Sequence, residues 1–300
     1  TSSRTPKPKS TSASSDGRVA RAHNCQSLTL AGPVGVDVTD DDRDGASERR
    51  VAPADTASRW DGPADPVELP GQFLLAVRRG EPRAEIVDRI AALDESDLLA
   101  ALGDDRARLT FWINLYNAVT QHALETEPGR YENSRAFFSA PLVTVAGEEL
   151  SLDDIEHGIL RRSFSKFALG YLRSPFRSDV CERYELDSRD PRIHFALNCG
   201  AESCPPIAAY TVEGIDEQLD WATEGYLERT VEYDPNRGRV RVPRVMLWFR
   251  GDFGRKRNIV AFLERYGQLP PGASPRLSYR EWDWSMDRGR YADAEVAGEE

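Results

Sequence analysis

The residues of this chain whose types could carry covalent chemistry are a histidine, two thiols and two acids. His194, Cys199 and Cys204 fall within one short stretch, Asp252 lies in a glycine-containing turn further on, and Glu156 sits upstream. An imidazole close to a thiol favours the thiolate, which is the nucleophilic form, and a third group commonly fixes the imidazole. On that pattern Cys204 is the expected nucleophile, His194 its base and Asp252 the orienting acid. Glu156 is the alternative acid. It shares the edge of a helical stripe marked by Leu152, Ile155 and Ile159, where partial burial raises a carboxyl toward acid–base use. The chemistry so encoded is thiolate attack on a carbonyl, as in a cysteine-dependent hydrolase or acyl transferase.

These side chains need elements to position them. Pro191 to Cys199 places Ile193, Phe195 and Leu197 on one parity and reads as a strand running into the turn-rich stretch Gly200 to Pro206. Side chains alternate across a strand, so His194 and Cys199, five apart, are expected on opposite faces. Cys204, beyond the turn, is free to fold back. Upstream, Leu109 to Leu124 is apolar almost all round and is expected to be a buried central helix. Asn114 and Asn117 project from it at i and i+3. Buried amides must be hydrogen-bonded, either to loop backbone or to a substrate in the site. With them, Cys199 and His157 complete the candidate substrate-binding residues, against the competing readings of Cys199 as a small buried hydrophobe and of Glu156-His157 as a solvated helix surface.

Ser151-Leu152-Asp153-Asp154 supplies a capping signal for the helix carrying Glu156 and His157. Asp234-Pro235-Asn236-Arg237-Gly238 reads as a hairpin turn between two short strands, and a last helix is expected near Asn258 to Tyr266. Helices first and strands with hairpins later argue for an α+β single domain: a buried central helix packed on a small, mainly antiparallel sheet, surrounded by further helices. The domain is expected over residues 65–285. Residues 1–64 mix Ser, Thr, Pro, Gly and charge without apolar periodicity and read as a disordered extension, and 286–300 read as an acidic tail.

The net charge is -11, and the only lysines are Lys7, Lys9, Lys166 and Lys256. That balance argues against a nucleic-acid partner and suits either a salt-adapted, halophilic surface or a composition drift toward Arg and Asp. No apolar run is longer than that of Val245 to Phe249, far short of the roughly 20 residues that span a bilayer, so no membrane partner is expected. Four cysteines, unevenly spread, do not make a secreted disulfide framework and fit a reducing, cytoplasmic setting. No cofactor is expected. Zinc is disfavoured because one histidine and two thiols offer only three ligands from one segment. The sequence names no substrate, peptide or small-molecule ligand, and sets no oligomeric state.

Read as text, three ordered stretches resemble one family: Phe111-Trp112-Ile113-Asn114-Leu115-Tyr116-Asn117-Ala118, Ser151 to Gly158, and Asp190 to Gly200 continuing through Ser203-Cys204-Pro205-Pro206. Trp248 to Phe253 and Asp283-Trp284 extend the likeness. The family is the domain of unknown function 547 (DUF547), and the resemblance implies a domain without a settled activity. A distant fold-level analogy joins it to papain-like and transglutaminase-like enzymes, whose thiol opens the central helix; here Phe111, Trp112 and Asn114 occupy that region and no cysteine does. Two further readings stay open beside the enzyme. One is a non-catalytic binding or interaction module. The other is thiol redox through Cys199 and Cys204, which could join if their Cα atoms approach within about 7 Å.

Overall fold

In the computed structural model of the chain, residues 65–165 and 168–292 are described. The expected extension over 1–64 and the last eight residues of the expected tail lie outside the described residues. Helices α1 (Leu69–Arg79), α2 (Ala84–Ala91) and α3 (Glu95–Ala101) lead into the long α4 (Asp105–Thr126). Asp104 caps α4 by accepting from the Ala107 amide at 2.9 Å. As its sequence implies, α4 is buried all round, with Phe111, Trp112, Ile113, Leu115 and Tyr116 inaccessible or nearly so. It packs against α1 and, further along, against later elements including strand β1.

A 3-10 turn (Pro128–Asn133) and α5 (Ser134–Ser139) precede an antiparallel hairpin of β1 (Pro141–Val145) and β2 (Glu148–Ser151). The expected cap at Ser151 is present. The Ser151 amide donates to Asp154 Oδ2 at 3.0 Å while the Asp154 amide donates to Ser151 Oγ at 3.1 Å. Beyond the cap the backbone forms not an ordinary α-helix but a wider π-helical stretch, Asp154–Leu160, which carries Glu156 and His157. Next come α6 (Asp179–Tyr184), a 3-10 helix (Pro191–Phe195) and α7 (Ile215–Thr230). The hairpin of β3 (Glu232–Asp234) and β4 (Arg239–Val242) turns through 235–238 as expected. After α8 (Val245–Trp248), α9 (Arg250–Phe253) and α10 (Lys256–Arg265), β5 (Arg276–Tyr279) joins β4 in parallel. The fold is α+β, with five strands among the described residues, divided between a two-stranded and a three-stranded sheet.

The strand expected over Pro191–Cys199 is not one. Asp190 accepts from the Arg192 amide at 2.9 Å, and Pro191 occupies the first helical position, where its missing N–H costs nothing. Ile193 and Leu197 belong to the hydrophobic cluster built on α4, whereas Phe195 belongs to a second cluster around β4 and α10. The 3-10 helix therefore joins two cores, and its apolar spacing reflects two destinations rather than one face of a sheet. The parity argument that set His194 and Cys199 on opposite sides falls with it.

The chain from 286 to 292 does not behave as a free tail. The Asp287 amide donates to Gly200 O at 2.9 Å, the Ile207 amide to Arg290 O at 2.8 Å and the Gly289 amide to Gln121 Oε1 at 2.8 Å. All the described residues belong to one unit, Ser58–Glu300. None of its described helices is long and apolar enough to cross a membrane.

Candidate functional site

The loop after the 3-10 helix is held from below by α4. Asn117 Nδ2 donates to Ala196 O at 3.0 Å, and its Oδ1 accepts from the Asn198 amide at 2.9 Å. Asn198 in turn accepts from the Gly200 amide at 2.8 Å and donates to Pro205 O at 2.7 Å, closing the loop on itself. Gly200 has φ 85°, and a Cβ there would lie 2.5 Å from Leu124 of α4, so no side chain fits. This closure brings the two sulfurs together. Cys199 Sγ and Cys204 Sγ are 2.8 Å apart, and the Cys199 amide donates to Cys204 Sγ at 3.2 Å. Both thiols are free.

Burial alone would raise the Cys204 thiol, but it is outweighed by the Cys199 S–H, by backbone hydrogen bonds at Ala201 and Cys199 and by the positive Arg290, leaving Cys204 below an ordinary thiol. Cys199 is pushed well above the ordinary value, first because its proton is held on Cys204 and then by burial. Of the two sulfurs, Cys204 is the one that ionises first.

His194 stands in the same cleft but bonds elsewhere. Its Nε2 donates to Asp252 Oδ2 at 2.8 Å, and its ring stacks on Phe249 with centroids 4.4 Å apart. No hydrogen bond joins it to either sulfur. Burial pushes His194 below its ordinary value despite Asp252, and the Nε2–H faces the Asp252 carboxylate. Asp252 is the hub of this network. Arg161, fully buried, donates from Nε to Oδ2 at 2.6 Å, and Arg189 donates to Oδ1 at 2.7 Å. Although burial opposes ionisation, His194 and Arg161 hold the Asp252 carboxyl well below the usual range. Gly251 allows the approach, since a Cβ there would lie 2.2 Å from Gly170 O.

From the π-helical stretch, Glu156 Oε2 accepts from the Tyr116 hydroxyl at 3.3 Å, and His157 Nδ1 meets Arg161 Nη1 at 3.1 Å. Arg161 therefore links His157 to the Asp252–His194 pair. The wide turn sets Glu156, His157, Cys199, Cys204 and His194 around one cavity of about 340 Å³. Trp248, Trp282, Trp284 and Phe249 supply much of its apolar wall, the three indoles standing 5.3 to 6.0 Å from one another. The Trp282–Trp284 segment is tied down by the Ser203 loop: the Asp283 amide donates to Ser203 Oγ at 2.8 Å, and the Glu202 amide to Ser285 O at 2.8 Å.

Of the residues singled out in the sequence, Cys199, Cys204, His194, Glu156 and His157 line the cavity, and Asp252 supports it through His194. Asn114 and Asn117 do not reach it. Asn114 exchanges two hydrogen bonds with the Tyr210 backbone, at 2.8 and 2.9 Å, and both amides serve loop backbone. The sequence reading missed Arg161, Arg189, Tyr116 and the tryptophan wall. The spacing of Arg161, four beyond His157 and five beyond Glu156, is the one signal that pointed to it. Among the described residues, no group of three or more His, Cys, Asp and Glu is disposed to hold a metal ion.

Compared with known proteins, residues 100–227 match the model of a family described as "Protein of unknown function, DUF547". No curated protein matches, and no solved structure does. The matched stretch holds Glu156, His157, His194 and both thiols of the cleft, while Asp252 and the three tryptophans lie beyond it. Over that stretch the chain is similar to the DUF547 family.

Proposed function

We propose that the domain is a thiol–disulfide exchange enzyme whose working pair is Cys204 and Cys199. The observation that carries this reading is the 2.8 Å contact between the sulfurs, with the Cys199 amide N–H directed at Cys204. Joining them needs an approach of less than 1 Å, since a disulfide bond is roughly 2.05 Å long. In the forward direction the Cys204 thiolate attacks a substrate disulfide, one S–S bond breaks as another forms, and one substrate thiolate leaves. Cys199 then loses its proton and attacks Cys204 sulfur, releasing the second substrate thiolate and leaving the Cys199–Cys204 disulfide. The substrate gains the two electrons that the enzyme loses, and two equivalents of a small external thiol reset the pair, leaving as their own disulfide. Glu156, which lines the same cavity, is the carboxylate assigned to take that proton. The tryptophan wall suits a substrate with an apolar or aromatic surface.

The test is intact-mass analysis after a small disulfide is added. Wild type is expected to lose two hydrogens, Cys199→Ser to be trapped as a mixed disulfide on Cys204, and Cys204→Ser to stay unmodified at Cys199. Inert wild-type thiols would overturn the reading.

One observation favours a second reading, acyl transfer from Cys204: His194 lines the same cavity with its tautomer fixed by Asp252, as a base would be. The two part on mutation. Acyl transfer survives Cys199→Ser and is abolished by His194→Ala, whereas disulfide exchange needs both sulfurs.

A further inference from the structure

A second cavity, of about 430 Å³, shares Cys204 and Trp282 with the cleft. Four guanidiniums line it, Arg229, Arg244, Arg280 and Arg290, against two carboxylates, Glu202 and Glu281. Two of the four are already engaged. Arg280 pairs with Glu232, and Arg290 with Asp287 and Glu202, while it also donates to Cys204 O at 3.1 Å. The Nε of Arg290 is nevertheless buried without a partner. The guanidiniums of Arg229 and Arg244 make no hydrogen bond or ion pair with any described residue. In a chain of net charge -11, neither is matched by a carboxylate within ion-pair distance among the described residues, which leaves two uncompensated positive charges lining the cavity.

We infer that this cavity is an anion subsite that holds a carboxylate or phosphate group of the molecule whose sulfur reacts at Cys204. The guanidinium fork matches both groups and accepts them bidentately. Arg290 serves the chemistry from the same place, since its charge lowers the Cys204 thiol and its side chain holds the loop carbonyl. The implied substrate class is a small anionic disulfide, or its thiol, with its charged end among the arginines and its sulfur at Cys204. The identity of this substrate rests on the exchange reading, whereas the anion site itself does not.

Two measurements separate them. The first is the rate of Cys204 modification by a dianionic aromatic disulfide, 5,5′-dithiobis(2-nitrobenzoate), and by the neutral 2,2′-dithiodipyridine, in wild type and in the Arg229→Gln, Arg244→Gln double variant. The expected result is a loss of about tenfold with the anionic reagent and an unchanged rate with the neutral one. An equal loss with both reagents, or no loss with either, overturns the subsite as a substrate-binding feature. The second is calorimetric titration of the Cys199→Ser, Cys204→Ser protein with inorganic phosphate and, separately, with succinate. Heat with either that disappears in the arginine double variant supports an anion site even if the thiols prove inert, and the two arms tell phosphate from carboxylate. No binding of either overturns it.

Discussion

At the scale of single residues, the site depends on which sulfur holds the charge. Sequence parity set Cys199 aside in favour of Cys204; the fold brings both to the cleft and divides their roles, lowering the Cys204 thiol and raising that of Cys199. Removing the thiol that donates to Cys204 exposes this division. In a Cys25→Ser, Cys181→Ser background, the pH profile of alkylation should give Cys204 an apparent pKa below the roughly 8.5 of a free cysteine. Cys199→Ala should move it upward by roughly one pH unit, because a hydrogen bond to a charged acceptor is worth about 1.5–3 kcal/mol. An unchanged profile would mean that the amides and Arg290 alone hold the thiolate.

At the scale of elements, α4 is the platform on which the thiol loop is built, and its polar positions matter through backbone they satisfy at a distance in sequence. Asn117 is 0% exposed and serves two loop groups, Ala196 O and the Asn198 amide. Asn117→Ala strands both, at a cost of about 2–4 kcal/mol in denaturant unfolding. It should also slow formation of the Cys199–Cys204 disulfide, because the turn that aligns the sulfurs loses its anchor. Undiminished stability would show that water replaces the amide.

At the scale of the whole folded unit, pH acts through the buried His194–Asp252–Arg161 network. His194 titrates lower in the folded state than in the unfolded chain. Below the ordinary histidine value of about 6.5 the unfolded chain binds a proton that the native protein refuses, so stability falls as pH drops from there toward the folded value. Asp252 adds to this at lower pH: its folded value is depressed, so its contribution is intact above about 4 and is lost as pH falls further. Denaturant midpoints between pH 8 and 4 should show the first decline, and His194→Gln should flatten it. A slope equal in both proteins would assign the decline to other groups.

How much was legible in the sequence differs from residue to residue. Local pattern determined the central helix, the hairpin at Asp234 to Gly238, the cap at Ser151 and the α+β class, because each is set by side chains within a few positions of one another. It also marked Cys199, Cys204, His194, Glu156 and His157 as chemically capable. It misread Pro191 to Cys199, where apolar residues bound for two separate cores imitate the alternation of a strand. Only the tertiary structure decided that the two thiols touch, that His194 bonds Asp252 and neither sulfur, that Arg161 ties the histidines into one network, and that Trp248, Trp282 and Trp284 wall the cleft. The thiols are only five apart, but their contact rests on a loop anchored to Asn117 of α4; most of the other pairings span tens of residues, and all depend on burial and charge that arise only when distant segments pack together.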